Sequence, residues 1–440
     1  MNFKQCDRSM LYNKLKPSKD IKRLLRNLIF SSFGQIIMLI SPLLIAPYLI
    51  RKVGIEKYGI IILAQNIMNM IIIFTEYDFN IRASRLVSIH RNDTYKINIF
   101  YRDFTTTRLI LLIISFILLL IITYIVPIIN KYQYVFLLSF SLVVSRSIVP
   151  TWIILGFEKN EYIAYINIIS RIISYIAIYA YIETSGNYIF INFIWAAGEM
   201  ITAIYFSNFV NKKFNIHLTL TKHWNTIYSH ITEGWEVFTV NICYSLITNS
   251  GILILGIYGT EREVGNYSVV EKVISLYRQS LGVINQVMYP YACRLWALSK
   301  AKFNNFLRIE FWTIGLLYTI IGTVTIFLSD SIVKFFIGYN DPQISNLLKC
   351  FSFLPLIIAL NLSAYYSLLI NEHKKSYLSV FTVATFFNIF LNFILVPHLL
   401  SLGTVITIVA TEAMITIGLH IVLYKKHPLS RFFTIGPIKL

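Results

Sequence analysis

Long, uninterrupted runs of apolar residues are the feature that most limits what this chain can fold into. The run Leu109–Pro127 contains no charged residue, and a helix needs about 20 such residues to cross a bilayer. Of the 440 residues, 56% are hydrophobic and only 14% are charged, whereas soluble proteins have roughly 25% charged residues. The sequence therefore excludes a water-soluble enzyme and predicts an all-α polytopic membrane protein.

A hydropathy scan with a window of about 19 residues predicts twelve transmembrane helices. Their expected limits are 28–50, 59–78, 105–127, 134–155, 162–182, 188–210, 231–258, 266–288, 306–328, 344–370, 377–397 and 402–424. The first of them follows a basic stretch and has no small-residue cleavage motif after it. We therefore expect a retained first span and not a signal peptide.

The lysines and arginines are distributed unevenly between the predicted loops. The net charge is +18, and most of the loop cations fall on the side of the membrane that carries the N-terminus. The positive-inside rule then predicts that both termini are cytoplasmic. Because these cations lie in short loops between apolar spans and form no single patch, we expect no nucleic-acid partner.

The chain resembles two copies of one plan with six spans each. The segments Leu155–Ile163 and Ile370–Leu378 correspond in their lysine and tyrosine positions. Six spans return the chain to the same side, so both halves share one orientation, as in transporters with parallel repeats and a cavity at the repeat interface. We expect an N-terminal lobe at 1–210, a cytoplasmic linker at 211–230 and a C-terminal lobe at 231–440 around a central cavity.

Charged residues within the predicted spans are the candidates for function, because each costs about 2.5–3.5 kcal/mol at the bilayer centre. In the eighth span, polar residues recur at steps of three and four: Ser268, Glu271, Ser275, Arg278, Gly282 and Asn285. This spacing places them on one face of a helix, which is expected to line a polar cavity. Lys272 lies about 100° from Glu271 around the helix and is expected at the cavity rim.

Three arginines from different spans, Arg146, Arg171 and Arg278, are predicted to converge on this cavity. Guanidinium groups bind phosphate through paired hydrogen bonds, so an anionic ligand is expected there. The alternative is that these charges only pair with other groups and hold the helices together. For Arg278, one such partner is Glu271, two turns away.

Other charges within or beside the spans have different expected roles. Glu199 and Glu412 are candidates for proton or cation relays, with hydrogen bonding between helices as the alternative. Arg108, near the end of the third span, is expected to extend towards the membrane interface.

Sequence motifs of common enzymes are absent, including G-x-S-x-G, a Walker loop and H-E-x-x-H. The four cysteines are scattered without metal-ligand spacing, so neither a disulfide framework nor a metal site is expected. No cofactor is expected either. The energy for transport would come from a proton or sodium gradient, or from consumption of the substrate on the far side.

Four segments resemble motifs of bacterial polysaccharide-transport flippases. Ala46–Ile67 contains P-Y-L, a glycine and Y-G; Tyr77–Ser88 is similar to D-F-G-F-N-x-x-A-x-R without its glycine. Pro150–Ile172 resembles P-x-W-x-x-x-G-x-E, and Val264–Leu281 resembles G-x-Y-x-x-A-E-K with valine in place of alanine. The segments lie in both halves, and together they are similar to the Wzx-type O-antigen flippases. The superfamily to which these flippases belong also contains the multidrug and toxin extruders.

This resemblance implies two six-helix lobes around a cavity that opens alternately to either side. The implied substrate is an undecaprenyl-pyrophosphate-linked oligosaccharide repeat unit, moved from the cytoplasmic to the periplasmic leaflet of the inner membrane. Asp78, Arg85, Glu271 and Lys272 fall on motif positions, and we expect Asp78 and Arg85 to act in coupling or gating. Besides membrane lipids, an O-antigen polymerase and a chain-length regulator are the expected partners.

Two alternatives remain open from the sequence. A cation-coupled multidrug extruder of the same fold would need an acidic cavity, whereas the longest polar stripe here carries Arg278. An O-antigen polymerase, which is a membrane enzyme, would have a large periplasmic loop. The longest predicted outer loop here is the short segment Asp330–Gln343.

Overall fold

The computed structural model describes residues 41–426, apart from positions 183, 215, 217–218, 222–223 and 372. In this part of the chain, all regular structure is helical and there is no strand. The predicted all-α class is therefore confirmed. The start of the first predicted span and both chain termini lie outside the described residues.

The first half contains ten α-helices and one short 3₁₀ helix among the residues that the structure describes. They are α1 (41–53), α2 (Ile55–Glu76), α3 (Phe79–Ile89), α4 (Thr94–Ile125), α5 (Pro127–Lys131), α6 (Gln133–Ser139), α7 (Ser141–Ile148), α8 (Thr151–Gly156), α9 (Asn160–Tyr181), the 3₁₀ helix Ser185–Phe190 and α10 (Ile191–Phe214). Helix α4 begins after Asp93, whose carboxylate accepts a hydrogen bond from the Lys96 amide at 3.1 Å, as is usual at a helix N-terminus.

Among the described residues, the second half contains eight further helices. They are α11 (Trp224–Tyr258), α12 (Glu261–Leu298), α13 (Lys300–Phe327), α14 (Ser329–Ile337), α15 (Pro342–Phe351), α16 (Leu354–Ala359), α17 (Asn361–Ile370) and α18 (Lys374–Lys426). Helix α18 is interrupted at Leu400, where φ is 50° and the backbone is not helical.

Nine helical segments of the described chain are long and apolar enough to cross a membrane. Nine is three fewer than the twelve predicted spans, and each of the three differences has a structural cause. The first lies mostly outside the described residues, α12 carries the polar face predicted from its sequence, and the last two are joined in α18. The total of twelve stays a prediction.

Two predicted spans are not single helices. The fourth is divided into α6, α7 and α8, and Pro150 lies at the break between α7 and α8 because proline has no amide hydrogen to donate within a helix. The tenth is divided into α15, α16 and α17, with Pro355 in the first turn of α16. The linker expected at 211–230 is helical at both ends, since α10 continues to Phe214 and α11 begins at Trp224.

The two halves meet most closely where α2 crosses α12. A Cβ atom on Gly59 would lie 2.5 Å from the amide nitrogen of Gly265, and a Cβ atom on Gly265 would lie 2.9 Å from the carbonyl carbon of Ile55. Only glycine allows two backbones to approach this closely. The neighbouring Tyr58 and Tyr267 are each 1% exposed, so large buried side chains pack beside the crossing.

We expect Gly265→Ala to lower the thermal stability of the detergent-purified protein, because its methyl group would push α2 away from α12. Gly282→Ala on the same helix is the matched control, since no atom outside the adjoining backbone of its own helix lies within 4 Å of the added methyl group. Alanine is also the better helix former, by roughly 1 kcal/mol. Size-exclusion chromatography after heating should rank Gly265→Ala below the wild type and Gly282→Ala at or above it. Equal stability of the two variants would contradict the close crossing.

Candidate functional site

A polar cavity of about 190 Å³ lies in the N-terminal half and extends to α12 of the other half. Its charged lining residues are Arg146, Arg171, Glu199 and Lys272. Its other lining residues are Pro42, Gln65, Asn69, Ile72, Leu142 and Trp195. This space is called the N-terminal cavity. Three cationic side chains surround one carboxylate in it, so its lining has an excess of positive charge.

Glu199 lies between the two arginines of the N-terminal cavity. Its Oε2 atom is 3.2 Å from Arg146 Nε, and its Oε1 atom is 3.9 Å from Arg171 Nη2. The side chains of Arg171 and Glu199 are 14% and 13% exposed, so this electrostatic interaction is only weakly screened by water. The structure thus brings together two of the three arginines predicted to converge, with a candidate relay residue between them.

Close packing of α9 on α10 positions these groups. A Cβ atom on Gly198 would lie 2.9 Å from the carbonyl oxygen of Ser170, so glycine lets the two helices approach. Arg171 follows Ser170 on α9 and Glu199 follows Gly198 on α10, which explains why the two side chains meet. Arg146 reaches the same carboxylate from the last turn of α7.

Arg171 and Trp195 carry buried hydrogen-bond donors that have no partner among the described residues. The Arg171 guanidinium lies 5.2 Å from the centroid of the Trp195 ring. Arg171 Nε and Trp195 Nε1 are both buried without an acceptor. Buried donors of this kind are costly unless they are satisfied, so they mark a place where an anionic or hydroxyl-bearing ligand would be held.

A smaller cavity of about 50 Å³ shares Arg146 and Glu199 with the N-terminal cavity and is also lined by Glu76. Arg108 lies 3.4 Å from Glu76 through its Nη2 atom and donates to the Val149 carbonyl oxygen at 3.2 Å. Its side chain is 4% exposed. The prediction that Arg108 extends to the interface is therefore wrong, because an acidic partner and the Val149 carbonyl at the break before α8 hold it inside.

A second large cavity, of about 270 Å³, lies in the C-terminal half and is called the C-terminal cavity below. Its lining residues are Tyr244, Arg278, Asn285, Ile358, Asn361, Leu362, Tyr365, Tyr377, Phe381, Glu412 and Leu419. Arg278 thus lines a different cavity from Arg146 and Arg171. The predicted convergence of all three arginines on one cavity is therefore wrong, because Arg278 lies roughly 9 Å further along α12 than Lys272.

Arg278 also forms the ion pair that the sequence offered as its alternative role. Arg278 Nη2 lies 3.2 Å from Glu271 Oε1 on the same helix. Their side chains are 12% and 26% exposed. Arg278 therefore combines a structural contact with a position in the C-terminal cavity, where Glu412 and Asn285 also lie.

The expected gating residue Asp78 lies where α3 contacts α11. Asp78 Oδ2 is 2.8 Å from Arg82 Nε, and Arg82 Nη1 is 2.8 Å from Glu233 Oε2 on α11. Arg82 also donates to the His230 carbonyl oxygen at 2.7 Å. Arg85 lies on the exposed side of α3. The sequence pattern did not single out Arg82, although its position four residues after Asp78 was the available signal.

Residues 24–296 match the family model described as "Polysaccharide biosynthesis protein". The chain belongs to this family. A "Putative O-antigen transporter" of Escherichia coli (strain K12) is 25% identical over 393 residues, covering 89% of this chain and 94% of the relative. A protein of the same name from Shigella dysenteriae is 21% identical over 380 residues, covering 86% and 94%.

Two solved structures show the same fold. "Lipid II flippase MurJ, inward closed conformation" superposes with a TM-score of 0.69 at 14% identity, covering 91% of this chain and 87% of that one. An inward-facing multidrug resistance MATE family transporter of the MOP superfamily superposes with a TM-score of 0.64 at 11% identity, covering 89% and 96%. The solved structures show the fold alone. The named relatives are transporters, and the described chain has nine helical segments that could cross a membrane, so this family member is a multi-pass membrane transporter and not an enzyme.

We expect Arg278→Ala and Glu271→Ala each to lower the amount of protein in the membrane, because each leaves its partner's charge uncompensated. The double variant should recover towards the wild type. Arg294→Ala is the matched control, since Arg294 is an exposed arginine on the same helix. Immunoblots of membrane fractions measure the effect. Normal abundance of both single variants would show that the ion pair contributes nothing to stability.

Proposed function

We propose that this transporter is a flippase for undecaprenyl-pyrophosphate-linked O-antigen repeat units. It would move them from the cytoplasmic to the periplasmic leaflet of the bacterial inner membrane by alternating access, with both termini in the cytoplasm. The family membership and the names of the relatives support lipid-linked polysaccharide as the class of substrate. The charge of the N-terminal cavity supports a pyrophosphate linkage to the lipid.

The excess positive charge of the N-terminal cavity is the observation that carries this proposal. Arg146, Arg171 and Lys272 line it together with a single acid, Glu199. A pyrophosphate diester carries one negative charge on each phosphorus and would balance this excess. Guanidinium groups match phosphate oxygens with paired hydrogen bonds, and Arg171 Nε is a buried donor without a partner in the described chain.

The C-terminal cavity supports a role in holding sugars. Tyr244, Tyr365 and Tyr377 offer aromatic faces and hydroxyl groups, and Asn285 and Asn361 offer amides that both donate and accept. Sites for neutral polar ligands commonly combine aromatic walls with a few fixed polar groups. Its Arg278 and Glu412 would bind hydroxyl groups without giving the cavity a large net charge.

The polyprenyl tail needs no polar route. Exposing it to water would cost about 0.8 kcal/mol for each methylene group, so it remains in the lipid while the head group crosses. Cavities of a few hundred Å³ then have to accommodate only part of the substrate at a time. This division explains how a small polar interior would serve a very long molecule.

Conformational coupling would involve carboxylates at the cavities and at the contact between the halves. Glu199 and Glu412 line the two cavities, and Asp78 lies at the α3–α11 contact through Arg82. We infer that these groups respond to substrate or to a proton or sodium gradient. The product would pass to an O-antigen polymerase and its chain-length regulator in the periplasmic leaflet.

The charge of the N-terminal cavity also bears on the alternatives. A multidrug extruder that exports cationic drugs would need an acidic cavity, whereas this lining would repel a cation. A polymerase would join repeat units that had already crossed the membrane. Its loss would leave single repeat units on the cell surface, which separates it experimentally from a flippase.

In a strain that lacks this protein, we expect lipid-linked repeat units to be assembled but to remain on the cytoplasmic leaflet. Surface O-antigen polymer should be absent and should return with the wild-type chain. Arg171→Ala should fail to restore it at normal protein abundance, because the phosphate contact is lost. Arg171→Lys should restore part of it, because a point charge remains without the paired hydrogen bonds.

Lipopolysaccharide gels, with immunoblots of the same membranes, measure these outcomes. Arg294→Ala is again the control and should restore full-length polymer. Normal polymer from Arg171→Ala would refute the phosphate role of this residue. Single repeat units on lipid A core in the deletion strain would identify a polymerase instead.

A further inference from the structure

An acidic side chain in the C-terminal half lines none of the cavities described above. Glu310 lies on α13 and is 1% exposed. Ser363 Oγ, on α17, is hydrogen bonded to Glu310 Oε2. The contact joins two helices deep inside the protein, in a segment whose remaining side chains are largely apolar.

No cationic side chain in the described part of the chain compensates a negative charge on Glu310. No lysine, arginine or histidine among the described residues forms an ion pair with it, and its Oε1 atom is buried without a hydrogen-bond partner. The Tyr366 hydroxyl, one turn after Ser363 on α17, is likewise buried without a partner. Burial strongly disfavours an unpaired carboxylate, which therefore tends to take up a proton.

The hydrogen bonds of Ser363 indicate how the carboxyl group would respond to a proton. Ser363 Oγ lies 3.2 Å from the carbonyl oxygen of Leu307 as well as beside Glu310. A serine hydroxyl has one proton to donate. If it is donated to Leu307, the contact with Glu310 requires a proton on the carboxyl group. If Glu310 is ionised, the hydroxyl turns to the carboxylate and leaves the Leu307 carbonyl.

We propose that Glu310 and Ser363 form a proton-binding site that couples substrate movement to a proton gradient. The coupling role rests on the proposed transport function, whereas proton binding itself does not. Helix α17 supplies the physical connection. Leu362 and Tyr365 of this helix line the C-terminal cavity, while the adjacent Ser363 is hydrogen bonded to Glu310.

Protonation would act on the wall of the C-terminal cavity. Loss of the proton replaces the Ser363–Leu307 hydrogen bond with one from Ser363 to the carboxylate, which changes how α17 is held against α13. Because cavity residues lie on the same short helix, a small shift of α17 changes the shape of the sugar-binding surface. A proton gradient would in this way favour one orientation of the cavity over the other.

Contacts among the described residues connect few other titratable groups to Glu310. Tyr366 is on α17, and Tyr289 of α12 lies with its ring centroid 5.7 Å from that of Tyr366. His420 of α18 lies 5.8 Å from the ring of Phe311, the residue after Glu310, and its Nε2 atom is 3.1 Å from the Leu360 carbonyl oxygen. Arg308, on α13 itself, lies about 200° round the helix from Glu310. Among these groups, His420 ordinarily titrates near neutral pH. A His420 variant therefore serves as the control for the effects of pH.

Infrared difference spectroscopy tests proton binding directly, on the purified protein in lipid nanodiscs. The wild type should show the stretching band of a buried protonated carboxyl group, and this band should decrease as the pH rises. Glu310→Gln should remove the band, whereas His420→Gln should retain it. A band that is unchanged by Glu310→Gln, or that does not respond to pH, would overturn the proposal. If Glu310→Gln does not accumulate, Glu310→Asp is measured instead and should shift the band. An unshifted band in Glu310→Asp would likewise overturn the proposal.

Transport of lipid-linked repeat units by reconstituted protein tests the coupling. The wild-type rate should rise when a proton gradient is imposed and fall when an uncoupler collapses it. Glu310→Gln should give equal rates with and without the gradient, and His420→Gln should keep the difference. Gradient-dependent transport by Glu310→Gln would refute coupling at this residue. A wild type that binds the proton but moves no substrate would refute the proposed function and leave the proton site standing.

Discussion

The need to balance charge inside an apolar helical protein is the constraint on which the rest of this structure depends. An arginine or lysine at the centre of a bilayer costs about 2.5–3.5 kcal/mol, so each must gain a partner or face a polar space. Arg146 and Arg171 share the carboxylate of Glu199, and Arg278 pairs with Glu271. These interactions leave the N-terminal cavity with more positive than negative charge, which a ligand with an anionic head group would satisfy.

The helix crossings place these charges relative to one another. Gly59 and Gly265 bring α2 against α12 near the predicted outer surface, so that Lys272 reaches the N-terminal cavity while Arg278 lines the C-terminal cavity. At the predicted inner surface, Arg82 joins α3 to Glu233 of α11. In the predicted topology the halves therefore touch on both sides of the membrane, and alternating access would require one of these contacts to open at a time.

Periodicity along single helices made part of this site predictable. Steps of three and four residues identified the polar face of α12, and charges within apolar spans identified Arg146, Arg171 and Glu199. Assignment to one cavity or the other was not accessible, because it depends on where the backbones cross. Arg108 was misplaced because its partner Glu76 is distant in sequence. Glu310 is also a charge within a predicted span, but it belongs to no polar stripe, and its serine partner on another helix could not be identified from the sequence.

Selective binding of a lipid pyrophosphate is the most direct test of the central claim, that the N-terminal cavity recognises an anionic head group. The thermal stability of the purified protein would be measured with undecaprenyl pyrophosphate and with uncharged undecaprenol. The charged lipid should stabilise the wild type and the Arg294→Ala variant more than undecaprenol does. It should stabilise Arg171→Ala much less. Equal stabilisation by the two lipids, or full stabilisation of Arg171→Ala, would contradict the claim.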